Sequence, residues 1–140
     1  MKALIDTNII IDWLAVREPF AKISTEIVRL AENGIIEGVI SASSVTDIFY
    51  IQRKVRGYAK AVNEIRSVLT IFEIADTTEA ILLRALESGN YDFEDAVQSE
   101  TARKAAAEYI ITRNSPDFIA STVLSISPED FLKLQMPNTR

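Results

Sequence analysis

Residues 3–8 read ALIDTN, an apolar run that ends in Asp6, Thr7 and Asn8. The run has the composition of a buried strand, and apolar residues recur at helical four-residue spacing over 9–14. A carboxylate beside a buried strand loses hydration, which is unfavourable unless a cation or several donors compensate. The segment predicts a strand feeding a helix, with Asp6 either as a helix N-cap or at the strand end where parallel sheets bind ligands.

The rest of the chain alternates strand-like runs with helical stripes. Strands are predicted at 2–6, 35–41, 71–75, 109–112 and 122–124, with helices between them and a short last helix opened by Pro128. Strands separated by helices of this length favour parallel pairing through right-handed crossovers. The pattern therefore predicts an α/β fold, a three-layer α/β/α sandwich around a mostly parallel sheet of about five strands, in a single domain spanning 1–140.

The chain contains neither cysteine nor histidine. This excludes disulfides, thiolate nucleophiles, Ser-His-Asp triads, His-ligated zinc and imidazole general bases. Any catalysis must therefore use carboxylates, hydroxyls, amides, lysine or a metal ion held by oxygen. No apolar run approaches the ~20 residues of a membrane span, and the N-terminus lacks the zones of a signal peptide. We therefore expect a cytoplasmic protein that does not bind membranes.

The basic residues are concentrated in one segment. The formal charge is −5, from 15 basic and 20 acidic residues, which argues against a uniformly positive surface for nucleic acid. Residues 53–66 nevertheless carry five cations against one acid. Such a run is also typical of a solvated helix face. Candidates for contacting a phosphate backbone are Arg53, Lys54, Arg56 and Arg113.

Further acids lie near predicted strand ends. In YDFEDAVQ, residues 91–98, Asp92 and Asp95 lie three apart at a helix N-terminus, so both carboxylates face one way. The same spacing is typical of a capping box, a purely structural device. Asp47 lies beside the apolar positions of its helix and is expected to be partly buried, as a boundary residue or as part of a site.

A last polar group follows the fourth predicted strand. In YIITRNSPDF, residues 109–118, the strand leads into Asn114 and Asp117. Taken alone, this stretch is typical of an ordinary turn. Combined with the other acids, it predicts a cluster at the carboxyl edge of the sheet.

The order of these motifs resembles a known family. LIDTNIIIDWL, DFEDAVQ, IITRNSPDF and the terminal SPEDFL are similar to the motifs of PIN-domain ribonucleases, in particular the single-domain toxins of bacterial toxin-antitoxin pairs. The resemblance covers nearly the whole chain. It implies a catalytic quartet with three supporting groups: Asp6, Asp47, Asp95 and Asp117, supported by Thr7, Asp92 and Asn114. The second acid of the family is usually glutamate, so Asp47 is shorter by a methylene.

Converging carboxylates also predict a metal ion, because they repel one another unless a divalent cation neutralises them. An all-oxygen site suits Mg²⁺ or Mn²⁺, with Asp6, Asp95 and Asp117 as expected ligands. Such an ion supports phosphodiester hydrolysis by activating water and offsetting transition-state charge. The resemblance further implies an RNA substrate, an antitoxin protein as partner, and a homodimer.

Two alternatives remain open from the sequence. A PIN-like scaffold that binds protein or RNA without cleaving it would explain the shortened acid Asp47. A phosphotransfer domain, of the receiver or haloacid-dehalogenase-like phosphatase type, also places an aspartate after its first strand. The phosphatase needs a second aspartate where this chain has Asn8, and the receiver needs a lysine after its last strand.

Overall fold

The computed structural model describes residues 1–118 and 121–136, apart from the side chain of Asp117. Its centre is a five-stranded sheet in which every neighbouring pair of strands is parallel. The strands are β1 (Lys2–Ile5), β2 (Glu37–Ser41), β3 (Glu73–Ala75), β4 (Tyr109–Ile111) and β5 (Leu124–Ile126). Their order across the sheet is β3-β2-β1-β4-β5.

Helices cover both faces of the sheet. They are α1 (Thr7–Leu14), α2 (Ala21–Glu32), α3 (Ala42–Arg56), α4 (Tyr58–Ile71), α5 (Glu79–Glu87), α6 (Phe93–Lys104) and α7 (Pro128–Gln135), with a 3₁₀ helix at Ser115–Phe118. Helices α1–α4 and α7 share one hydrophobic core, whereas α6 packs on the opposite face with α5 beside it. The predicted three-layer α/β/α architecture is confirmed. Among the described residues, no helix is long and apolar enough to cross a membrane.

Strand β1 is the centre of both cores because its side chains alternate between the two faces. Ala3 and Ile5 belong to the larger core, and Leu4 faces α6 in the smaller one. All three are fully buried, and burial of a Leu or Ile side chain contributes about 1.5–3 kcal/mol. This burial fixes the strand that carries Asp6 at its end.

The strand order reverses beside β1. Strands β2 and β3 extend to one side of β1, and β4 and β5 extend to the other. In open parallel sheets, the crevice at such a reversal, outside the carboxyl ends of the strands, is the usual place for a ligand. Receiver domains have the order 2-1-3-4-5, so the receiver alternative is wrong for this chain.

The first turn of helix α3 contains two serines, a residue type that is common at helix N-caps. The helix starts at Ala42, so Ser43 and Ser44 lie inside its first turn. Their hydroxyls bond to other elements, because Ser44 accepts a hydrogen bond from Thr7 and Ser43 bonds to the hydroxyl of Ser41. The serines therefore connect the carboxyl ends of the strands rather than cap a helix.

The strands differ from their predicted limits by one residue in β1 and β4 and by two residues in β2, β3 and β5. The prediction for β2 began at residue 35, but the amides of residues 35–36 donate to the carbonyl of Leu30 and close α2. The predicted fifth strand, 122–124, is displaced to Leu124–Ile126 because Leu124 pairs with Tyr109 of β4. The differences in β2 and β5 depend on contacts that local periodicity does not contain.

Candidate active site

A cleft of about 670 Å³ opens at the carboxyl ends of β1 and β4, where the strand order reverses. It is bounded by α1, α3, α5 and α6. Its lining is rich in carboxylates and in polar side chains. The residues are Asp6, Thr7, Asn8, Ile11, Ser43, Ser44, Asp47, Tyr50, Ile51, Leu82, Asp92, Phe93, Glu94, Asp95, Val97, Gln98 and Asn114.

Asp6 is the most buried acid of the cleft, with 6% of its surface exposed. It is the N-cap residue of α1, but its side chain makes no capping hydrogen bond. Instead, Gln98 Nε2 donates to Asp6 Oδ1 over 2.7 Å, and Thr112 Oγ1 donates to Asp6 Oδ2 over 2.8 Å. Residues from β4 and α6 therefore orient this carboxylate, and helix capping does not account for it.

The environment of Asp6 favours its neutral form. Burial raises the pKa of the Asp6 carboxyl above its ordinary value. The hydrogen bond from Thr112, the nearby backbone N–H of Thr7, the Gln98 amide and the charge of Arg113 lower the pKa of Asp6, but do not cancel the effect of burial. A cation beside Asp6 would supply the missing compensation.

Glu94 is an acid of the cleft that the sequence analysis did not select. It lies in the first turn of α6 and is exposed. Partial burial raises the pKa of Glu94, and the charges of Asp47, Asp92 and Asp6 raise it further. Its position next to Asp95 in the quoted motif was the only available signal. The four acids therefore share one negative field.

Asp92 and Asp95 confirm the capping arrangement and also line the cleft. Asp92 is the N-cap of α6, and its Oδ1 accepts a hydrogen bond from the backbone N–H of Asp95 over 3.1 Å. The Asp92 N–H in turn donates to Asn90 Oδ1 over 3.0 Å. The structural device thus holds both carboxylates at the positive end of α6, so the two interpretations of this motif are compatible.

Gln98 is the second residue that the sequence analysis missed. It lies on α6, one turn after Asp95, and is 5% exposed. Besides its bond to Asp6, its Nε2 lies 3.5 Å from Thr7 Oγ1. Its Oε1 is buried without a hydrogen-bond partner among the described groups, which is the kind of acceptor that an ordered water satisfies.

The remaining predicted polar residues have different environments. Asp47 lines the cleft from α3 but is exposed, so the expected partial burial is wrong. Asn114 also lines the cleft, and its backbone N–H donates to Thr112 Oγ1 over 3.0 Å. Thr7 Oγ1 donates to Ser44 Oγ over 2.7 Å, which joins α1 to α3. Asp117 lies in the 3₁₀ helix, and its side chain is outside the described part of the chain.

Two of the predicted basic residues lie at the edge of the cleft. Arg53 and Lys54 are exposed in the last turn of α3, with their cationic groups 5.5 and 5.1 Å from the ring centroid of Tyr50. The Tyr50 ring lines the cleft. Arg56 is instead paired with Glu64, with 3.0 Å between Arg56 Nε and Glu64 Oε2.

Arg113 does not belong to the described lining of the cleft. Its Nε lies 2.7 Å from Asp12 Oδ2, and its Nη2 lies 3.3 Å from Asp12 Oδ1. Both bonds join the segment after β4 to α1. The guanidinium therefore donates hydrogen bonds to a buried acid that is not part of the described cleft lining.

The donor chemistry of the cleft fits a hard divalent cation. Its charged groups are carboxylate oxygens, burial and then the charges of Asp47, Asp92 and Asp6 raise the pKa of Glu94, and Gln98 Oε1 is an acceptor without a hydrogen-bond partner among the described groups. Within residues 1–118 and 121–136, however, no three acids lie close enough together to hold one ion. The fit therefore concerns ligand type and charge, and Asp117 would have to contribute from outside the described side chains.

Comparisons with known proteins agree with this architecture. A chain of DNA-bound VapBC from Salmonella typhimurium superposes with TM-score 0.72 at 14% identity, covering 91% of this chain and 98% of that one. A toxin-antitoxin complex from Klebsiella pneumoniae superposes with TM-score 0.68 at 23% identity, covering 90% of this chain and 97% of that one.

A third structure, VapC20 of Mycobacterium tuberculosis, a toxin that cleaves the sarcin-ricin loop, gives a TM-score of 0.62 at 16% identity, covering 77% of this chain and 86% of that one. No curated protein sequence matches significantly. The sequence profile of the PIN domain matches residues 2–115. The chain is therefore a member of the PIN-domain family.

Proposed function

We propose that this chain is a metal-dependent endoribonuclease and the toxin of a toxin-antitoxin pair, acting in the cytoplasm as one PIN-like unit over residues 1–140. The observation that carries the proposal is the convergence of five carboxylates on one cleft, at the reversal point of a parallel sheet. One of them, Asp6, is buried and held by neutral donors only. Folding has thus concentrated negative charge in a cleft whose lining, within residues 1–118 and 121–136, contains no lysine or arginine.

The structural comparisons support the same class of function. VapC20, which shares this fold, is a toxin that cleaves the sarcin-ricin loop, and the Klebsiella pneumoniae structure is a toxin-antitoxin complex. We extend this to the present chain as an RNA substrate, an antitoxin partner and a homodimeric state. The charge of the cleft supports the first of these once a cation is bound, because the cation attracts phosphate.

We assign the metal ligands to Asp6, Asp95 and Asp117. A bound Mg²⁺ or Mn²⁺ would lower the pKa of water and offset the charge that builds on the phosphate. Asp47 and Glu94 would add negative charge at the rim, with Glu94 taking the place of the longer acid that Asp47 does not supply. Gln98 and Thr112 orient Asp6 by donating to its two oxygens.

We place the RNA backbone across the basic end of α3. Arg53 and Lys54 are exposed and lie beside Tyr50, at the edge of the cleft. Their charges can contact phosphates on either side of the scissile bond, and the ring of Tyr50 offers a surface for a base. The supporting polar groups Thr7, Asp92 and Asn114 remain inside the cleft.

The test is cleavage of a labelled single-stranded RNA by the purified chain with Mg²⁺, Mn²⁺ or EDTA. Cleavage should require the metal, and Asp6→Asn or Asp95→Asn should each lower the rate by at least about 100-fold, more than the loss of an outer partner of a metal ligand costs. The matched control is Glu32→Gln, an exposed acid at the end of α2 before β2 begins, which should cleave like the unmodified chain.

The alternative of a non-catalytic PIN scaffold predicts a different result. It is favoured by the shortened acid Asp47 and by the absence of a preformed three-acid group among the described residues. A scaffold would bind RNA but leave it intact, and Mn²⁺ would not raise its melting temperature. Cleavage that persists in EDTA, or that survives both Asp6→Asn and Asp95→Asn, would overturn the nuclease proposal.

A further inference from the structure

Outside the described lining of the cleft, the fully buried acid Asp12 on α1 forms an ion pair with the partly buried Arg113. The side chain of Asp12 is 0% exposed, and both of its oxygens accept from the Arg113 guanidinium, over 2.7 and 3.3 Å. Arg17 Nε also lies 3.0 Å from Asp12 Oδ1. Two arginines therefore share one acid that has no access to solvent.

The Arg113 guanidinium is also fixed from the side. Its central carbon lies 3.9 Å from the centroid of the Phe20 ring, so the planar group stacks on an aromatic face while its edge faces Asp12. Only arginine combines this planar stacking with a two-pronged bond to a carboxylate. The position of the Arg113 side chain is thus defined in two directions.

Arg113 is the middle residue of the 112–114 loop, in which Asn114 lines the cleft and Thr112 contacts Asp6. The Thr112 hydroxyl donates to Asp6 Oδ2 over 2.8 Å and accepts from the Asn114 N–H over 3.0 Å. The Thr112 N–H donates to the carbonyl of Ile126 on β5. A displacement of the Arg113 backbone would therefore also shift the neighbouring Thr112 hydroxyl, which orients Asp6.

We propose that Asp12 and Arg113 are positioning residues, whose ion pair fixes the 112–114 loop and through it the Asp6 carboxylate and Asn114. The pair connects α1, which follows Asp6, to the loop that follows β4. The consequence for catalysis rests on the proposed nuclease function, whereas the consequence for the geometry of Asp6 does not. This differs from the substrate-binding role that the sequence suggested for Arg113.

Arg17 provides the matched control. It contacts the same carboxylate as Arg113, but it lies beyond the end of α1 and not on the 112–114 loop. A merely stabilising ion-pair cluster would give Arg17→Lys and Arg113→Lys similar consequences. A positioning pair would separate them, because only Arg113 is covalently joined to Thr112.

The experiment compares Arg113→Lys and Arg17→Lys, each keeping its positive charge. For Arg113→Lys we expect kcat for RNA cleavage to fall by about 10- to 100-fold with KM nearly unchanged, the usual cost of losing an outer partner of a ligand. We also expect the side-chain NH₂ signals of Gln98, which donates to Asp6, to shift in the ¹⁵N–¹H spectrum. Arg17→Lys should leave kcat and these signals as they are.

Two results would overturn the positioning role. One is equal kcat for the two variants together with unchanged Gln98 signals. The other is a rise in KM at constant kcat for Arg113→Lys, which would make Arg113 a contact to RNA. If the unmodified chain cleaves no RNA with any metal, the proposed function fails, while the Gln98 signals still decide whether the pair orients Asp6.

Discussion

Asp6 and Asp12 are six residues apart in the sequence and both are buried, yet the groups that contact their carboxylates differ in charge. Asp12 is bound by the guanidinium groups of Arg17 and Arg113. Asp6 accepts hydrogen bonds from the neutral groups of Gln98 and Thr112, and burial raises its pKa. Two arginine side chains thus contact the carboxylate of Asp12, whereas in the described part of the chain no cation lies at ion-pair distance from the carboxylate of Asp6.

This contrast explains why a strand-end acid can be functional without being stabilising. An ion pair compensates the lost hydration of Asp12, whereas hydrogen bonds from neutral groups compensate that of Asp6 only in part. Asp6 is the N-cap residue of α1 and Asp12 lies on that helix, so one element carries both acids. The difference lies in the partners, and substitution of each acid by its amide should reveal it.

The largest expected change in stability follows from Asp12→Asn. Removing the charge leaves two arginines against a neutral amide, one of them partly buried, and breaking such a pair should lower the free energy of unfolding by about 3 kcal/mol. Urea denaturation in EDTA measures it. The control is Asp130→Asn, whose exposed pairing with Lys133 should contribute about 0.5 kcal/mol or less. Equal losses in the two variants would contradict the importance of the buried pair.

The opposite sign is expected for Asp6→Asn in the absence of metal. The variant no longer buries a carboxylate, and the new amide can donate to the Thr112 hydroxyl or to the unsatisfied Gln98 Oε1. We expect the melting temperature in EDTA to rise by a few degrees, and Mn²⁺ to reverse the order by stabilising only the unmodified chain. A lower melting temperature in EDTA would show that the carboxylate of Asp6 is already compensated.

The stabilities of the unmodified chain and of Asp6→Asn should also depend differently on pH. Because the pKa of Asp6 is raised in the folded state, the folded protein binds more protons than the unfolded chain between the ordinary value of 3.8 and the raised pKa. The unmodified chain therefore loses stability relative to Asp6→Asn as pH rises through that interval, and the difference stays constant above it. Urea denaturation in EDTA from acidic to neutral pH measures the gap, and a gap that closes as pH rises would contradict the sign.

The sequence was sufficient to predict the strand β1, the helix α1 and the position of Asp6 between them, because all three follow from local patterns. The apolar run of β1 and the four-residue spacing in α1 predict the strand, the helix and the acid between them. The partners of that acid were not predictable in the same way. Gln98 and Thr112 lie 92 and 106 residues from Asp6, and no local pattern relates them to it.

Arg113 shows the limit of reasoning from neighbours in the sequence. It directly follows Thr112, so a role in the cleft was a natural prediction, but its side chain faces Asp12, which lies 101 residues away. Successive residues in an extended segment point to opposite sides. Adjacent positions after a strand can therefore serve a site and its support separately.

The smallest expected effect concerns Glu94, an exposed acid whose pKa is raised first by partial burial and then by the charges of Asp47, Asp92 and Asp6. Glu94→Gln should raise the melting temperature in EDTA by less than Asp6→Asn does. Repulsion between exposed acids is screened by salt, whereas the burial of Asp6 is not. The gain from Glu94→Gln should therefore shrink between about 0.05 and 1 M NaCl, while the gain from Asp6→Asn persists.

The same salt series with Glu32→Gln, outside the cleft, measures the general effect of removing one charge from an acidic protein. Glu94→Gln is compared with this control by the rise in melting temperature. A rise that exceeds the control at low salt and equals it at high salt would show that the cleft acids repel one another through solvent. A gain equal to the control at every salt concentration would remove Glu94 from the cluster. Asp6 would then be an isolated buried acid, and the contrast with Asp12 would rest on hydrogen-bond partners alone.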